Sequence, residues 1–184
     1  MLTNNYYKMK GFFDSHTNRC EGFGRASISV VDTTGTTYTN LSYASNNNSS
    51  YAAGANSNYS MKMYLVPYLG TGDTEPTVYD YTLDTDVTSS ISNLSISITS
   101  TGEDDKVSTI LLITGVNNTS GSITIKEIGI AKKVSRIYDN NSGTYDPATD
   151  SFAPHILLDH TLLENPVTVA PGSNLSLTLE WIEQ

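Results

Sequence analysis

With 184 residues, 38% of them hydrophobic, and a single cysteine, the chain is long enough for one packed core, short for two, and unable to form an intrachain disulfide. A formal charge of −9, from 10 Lys plus Arg against 19 Asp plus Glu, argues against nucleic acid as a partner, because affinity for phosphates depends on cations that displace counterions. No apolar run has transmembrane length, and polar Thr3, Asn4, Asn5, Lys8 and Lys10 interrupt any signal-peptide core, so the expectation is a protein made in a cytoplasm that binds no membrane.

Residues 1–25 mix Tyr6, Tyr7, Phe12, Phe13 and Phe23 with polar residues and glycines without any period, which reads as an aromatic N-terminal arm. Strict alternation then begins. Ile28 and Val30 alternate with Ser27 and Ser29, and Tyr59, Met61, Met63 and Leu65 alternate with Ser60 and Lys62 in a strand predicted to stop at Pro67. Between them, residues 40–58 carry neither period nor charge. A loop of this length points to contact, with Tyr43 and Tyr51 offering large apolar area at low entropic cost. A glycine- and proline-rich turn covers 70–76.

Leu94, Ile96 and Ile98 alternate with Asn93, Ser95 and Ser97, the mark of a half-buried strand, and a solvated turn at 102–105 joins it to a strand over 107–116. The run Ile110, Leu111, Leu112, Ile113 predicts that this second strand is central and covered on both faces. After a turn at 117–121, the apolar phase changes from Ile123 and Ile125 to Ile128 and Ile130, which predicts a β-bulge between Lys126 and Gly129. Residues 136–154 form a second long polar loop with Tyr138 and Tyr145. Strands over 156–163, 167–169 and 175–182 close the chain, the last two joined by Ala170-Pro171-Gly172-Ser173. The expected fold is all-β: an antiparallel, jelly-roll-like β-sandwich of about eight strands. It forms a single domain over 26–184, with long loops at 40–58 and 136–154 and Leu94, Ile96, Ile98, Leu111, Ile113, Leu175, Leu177 and Leu179 facing the core.

Candidate chemistry is sparse. Residues 139–150 have the composition of a calcium loop, but Gly143 falls fifth instead of sixth and flanking helices are not expected, so an Asx- and Gly-rich loop without metal is the reading. His155, Asp159 and His160 are close in sequence, yet on a strand Asp159 and His160 point to opposite faces, and His155 is too far from Asp159 for a hydrogen bond. Structural histidines are expected. His16 and Cys20 alone make no zinc site, and Gly70-Thr-Gly72 lacks the third glycine of a dinucleotide fingerprint. No catalytic residue, cofactor or metal is therefore expected, and the chain is read as no enzyme.

The segment Gly70-Thr-Gly-Asp-Thr-Glu-Pro-Thr-Val-Tyr-Asp-Tyr-Thr-Leu83 resembles a recurrent element of tailed-bacteriophage structural proteins: a glycine-rich turn, a proline, an acidic residue and a buried leucine. In the same order, Gly115 to Ile130 resembles the family's turn followed by a strand ending in Glu-Ile-Gly, and Leu157 to Leu179 resembles its closing pair around Pro166-Val-Thr-Val-Ala-Pro-Gly172. The opening Met-Leu-Thr-Asn-Asn-Tyr-Tyr is also similar. The likeness runs from about Leu65 onward and implies a jelly-roll-like virion protein of the head decoration or accessory type, assembled in the host cytoplasm, with no catalytic residues to carry over. Expected partners are other copies of itself and other virion proteins. Tyr6, Tyr7, Phe12 and Phe13 of the arm, and Tyr43, Tyr51, Tyr138 and Tyr145 of the loops, are the candidate contact residues. The alternative is a receptor- or glycan-binding module of a tail or fibre tip, which would use the loop tyrosines as a platform.

Overall fold

The computed structural model describes residues 1–8, 28–41, 65–103, 106–133, 137–139, 144–146 and 155–183. The described chain is mostly strand: β1 (Ile28–Val31), β2 (Thr37–Leu41), β3 (Leu65–Gly70), β4 (Ile91–Glu103), β5 (Lys106–Asn117), β6 (Ile123–Lys133), β7 (Ile137–Asp139), β8 (Thr144–Asp146), β9 (His155–Val169) and β10 (Asn174–Glu183). The two larger sheets have three antiparallel strands each, in the orders β10-β5-β4 and β3-β6-β9, and β1-β2 and β7-β8 form two short pairs. The all-β expectation holds. Among the described residues there are ten strands where about eight were expected, because β2, β7 and β8 fall in stretches without alternation, while 156–163 and 167–169 are one strand, β9.

The chain divides into two compact units. One comprises Met1–Leu65, Pro76–Thr82 and Ile130–His160, and the other Val66–Glu75, Leu83–Gly129 and Thr161–Gln184. In the first unit the described opening residues, 1–8, pair with later strands. Leu2 bridges to Asp159 of β9, the Thr3 amide donates to the Leu158 carbonyl at 2.9 Å, and Thr3, Asn5 and Tyr6 are buried. Residues 4–8 make a short helix, and the Asn5 side-chain amide donates to the Val31 carbonyl at 2.9 Å, so a polar opening segment is consumed by backbone pairing. The β1-β2 pair turns on Asp32, whose Oδ1 accepts from the Thr34 and Thr36 amides, both at 2.9 Å, with Gly35 at φ 85.

In the second unit, β4 and β5 are antiparallel, with Glu103 opposite Lys106, and residues 104 and 105 lie outside the described residues. Leu111, Ile113, Leu175 and Leu177 are buried as alternation predicts, but Leu94, Ile96, Ile98 and Leu179 are only half-buried. The position of β4 at an edge of the sheet accounts for Leu94, Ile96 and Ile98, since an edge strand is covered from fewer sides. β5 is central as expected, yet it is covered on one face only: Ile110 and Leu112 are 38% and 39% exposed.

The β4-β5 pair carries an irregularity. Register in the β4-β5 pair shifts between Ser92 and Ser95, where two residues of β4 oppose Gly115 alone, and Asn93 adopts φ 52. This is a β-bulge with its left-handed residue in β4. Gly115 is required opposite it, because an added Cβ would strike Ile91 Cγ2. β6 is central in its sheet and buries every residue from Glu127 to Ala131. With consecutive residues buried, both of its faces take apolar side chains and the phase change needs no inserted residue. Pro67 does not end β3 but lies buried within it, tolerated because β3 is an edge strand.

The turns at 117–121 and 170–173 form as expected and are joined by one buried side chain. Asn117 Nδ2 donates to the Gly121 carbonyl at 2.8 Å and the Val169 carbonyl at 2.9 Å, while its Oδ1 accepts from the Thr119 amide at 2.9 Å. Asn117→Ala is expected to lower the unfolding free energy by about 1–3 kcal/mol, since it strands buried backbone groups, and denaturant titration of the full chain measures it.

Candidate functional site

The strongest polar feature of the second unit is Glu127, whose side chain is fully buried in β6. Its carboxylate accepts three backbone N–H groups. Oε1 accepts from the Gly72 amide at 2.9 Å and the Thr85 amide at 2.9 Å, and Oε2 accepts from the Asp84 amide at 3.1 Å. A buried carboxylate is tolerated only where donors replace its water, and peptide N–H groups aimed at both oxygens do so.

Glycine is required on the turn side. A Cβ at Gly70 would overlap the Glu127 side chain, and one at Gly72 would sit 2.7 Å from Oε1. The Glu127 carboxylate thus ties the Gly70–Gly72 turn to the segment carrying Leu83, Asp84 and Thr85, and Leu83 is buried beside it in sequence. The rim adds only exposed contacts, Lys126 Nζ to Asp73 at 3.0 Å and Thr74 Oγ1 to Asp84 at 3.0 Å, which contribute little individually.

In the first unit a second network fixes the 76–82 segment. His160, buried in β9, places Nδ1 2.6 Å from Asp80 Oδ2, and Asp80 also accepts from the Thr77 amide at 2.9 Å and the Thr77 hydroxyl at 2.6 Å. Burial pushes the Asp80 carboxyl up, but the hydrogen bonds from Thr77 and the contact with His160 outweigh it and hold it below the ordinary 3.8. The hydroxyl is bonded to the carboxylate and not to the imidazole. In an acyl-transfer triad the base must face the nucleophile and the acid must face the base, so this order suits anchoring. Asp159 is buried close to the Met1 amine at 3.5 Å, and His155 is half-buried, its imidazole lowered first by burial and then by Lys133, against the opposing pull of Asp32.

Asp80 in its folded setting releases its proton more readily than in the unfolded chain, so its contribution is complete above about pH 4 and is lost as pH falls through the folded value. His155, also lowered, adds a loss as pH falls below 6.5. The expected result is a melting temperature that declines on acidification from pH 7. Asp80→Asn should cost about 1 kcal/mol at pH 7 and flatten the decline below pH 4, as read by thermal melts across pH.

The contact residues expected from the sequence separate in the structure. Tyr6 is buried at 8% exposure and stacks edge-on against Tyr7 at 5.5 Å, whereas Tyr7 is 56% exposed. Tyr138 and Tyr145 are Cα partners across the β7-β8 pair. Phe12, Phe13, Tyr43 and Tyr51 lie outside the described residues, as do His16, Cys20, Phe23 and most of the two long loops. The sequence reading missed Tyr79, which is 80% exposed between the anchored residues Thr77 and Asp80, with Val78 and Tyr81 exposed beside it. Among the described residues no group of three or more His, Cys, Asp or Glu side chains is placed to hold a metal ion, and no helix is long and apolar enough to cross a membrane. No family model, curated protein or solved structure matches the chain.

Proposed function

We propose that this chain is a non-enzymatic structural protein of a tailed-bacteriophage particle, which associates with itself and attaches as a head decoration or accessory protein. The observation that carries the reading is the Glu127 carboxylate. It links the two separate stretches in which the sequence resembles such proteins, the Gly70–Leu83 turn and the strand ending in Glu127-Ile-Gly, into one backbone-holding unit. The resemblance therefore falls on residues that do a shared architectural job in this chain. Buried Asp32 likewise accepts backbone N–H groups and positions a turn. Peptide mass spectrometry of gradient-purified particles tests the reading: the chain should be present in many copies per particle, and its confinement to the lysate supernatant would contradict it.

A receptor- or glycan-binding role at a tail or fibre tip is the second reading. It is favoured by Tyr79, which projects into solvent from a segment held at both sides by Asp80. A glycan array probed with the wild-type chain and with Tyr79→Ala separates the two, because only the second reading expects a signal that the substitution removes.

A further inference from the structure

We propose that the outward face of the β10-β5-β4 sheet is where two copies of this chain meet, with Ile110 and Leu112 at the centre of the contact. The inference rests on the structural-protein reading above and names the surface that serves its self-association. Ile110 and Leu112 occupy the central strand, where a solvated antiparallel sheet ordinarily presents polar side chains. The register sets Ile110 between Glu180 and Thr99, and Leu112 between Thr178 and Ser97. The result is an apolar centre bordered by hydroxyls, the arrangement of an interface with a dry middle and a polar rim.

Charge selects the occupant. A chain of net charge −9 repels its own copies, so a self-contact has to use a face nearly free of charge. Among the described side chains of this face Glu180 alone is charged. Symmetry then keeps that carboxylate away from its own image. Turning one sheet onto another about an axis along the strands sets β10 over β4, so Glu180 faces Thr99 and Ile110 faces Ile110. An axis across the strands, centred at Leu111, sets Glu180 over Thr178 and Ile110 over Leu112. In both arrangements apolar meets apolar and the acid meets a hydroxyl, which is the self-complementarity a two-fold contact requires.

Sedimentation equilibrium of the full chain at micromolar concentration tests this. The wild type should form a dimer or a larger even-numbered assembly. Leu112→Glu should weaken it by about thirtyfold or more while the far-ultraviolet circular dichroism stays unchanged. Because a carboxylate could disturb the strand, Leu112→Ser is measured beside it: weakened association with an unchanged circular dichroism spectrum supports the contact, and undiminished association overturns it. A wild type that is monomeric, or an assembly indifferent to Leu112→Glu, also overturns it. A chain monomeric alone whose recovery on particles falls with Leu112→Glu would give this face to a different virion protein. The two ideas fail separately, since particles containing the chain as a monomer defeat only the self-contact, whereas particles lacking it defeat the structural-protein reading.

Discussion

Glu127→Ala is expected to lower the unfolding free energy by about 3–5 kcal/mol, because it removes a buried carboxylate that accepts the Gly72, Asp84 and Thr85 N–H groups and leaves the buried Gly72 amide unsatisfied. Glu127→Gln should recover little of this. An amide keeps one acceptor oxygen but turns its NH2 group toward donors. Hydrogen exchange locates the effect: amides of Gly72, Asp84 and Thr85 should lose protection first, while those of the β5-β10 ladder keep theirs until global unfolding. Gly72→Ala should produce a similar loss from the opposite side of the contact, since its Cβ would lie 2.7 Å from Glu127 Oε1. A Glu127→Ala chain with unchanged denaturation midpoint would show that the carboxylate holds nothing essential.

The second large effect separates neighbours on one strand. Ile113→Ala is expected to cost about 2–5 kcal/mol, because Ile113 is fully buried in the central strand β5 and its removal leaves a cavity. Leu112→Ala, one residue away on the outward face, should cost under about 1 kcal/mol in the monomer. Ile96→Ala should fall between them, as β4 is an edge strand and Ile96 is half-buried. Denaturant titrations of the three variants measure the order, and equal losses at 112 and 113 would mean that the outward face is covered even in the single chain.

Alternation made the sheet interior legible at Leu111, Ile113, Leu175 and Leu177, because period-two burial is a local property of a strand. It could not say which strand is central and which is an edge, so Leu94, Ile96 and Ile98 were assigned more burial than they have, and the cover over Ile110 and Leu112 was overstated. Pro67 was read as a stop for the same reason, since only its place on an edge strand makes it acceptable.

The site was less legible, because its bonds join distant residues. Glu127 contacts amides 55, 43 and 42 positions away, and His160 contacts Asp80 across 80 positions. A signal for Glu127 was nevertheless present: it lies in phase with Ile123 and Ile125, at a position that a half-buried strand reserves for an apolar side chain. A charged residue in such a slot points to a buried partner, and the apparent phase change beside it reflects that carboxylate together with burial on both faces of β6. The exposed Tyr79 gave no periodic signal because the segment around it is held by side-chain hydrogen bonds and not by a ladder.

The proposed role is tested most directly by locating the chain on intact particles. Fab fragments raised against the purified protein should decorate wild-type particles at a regular, repeated position in cryo-electron density, and the density beneath them should accommodate sheets with the β10-β5-β4 and β3-β6-β9 strand orders. Particles that bind no Fab, although the same Fab recognises the soluble chain, would contradict the structural-protein account.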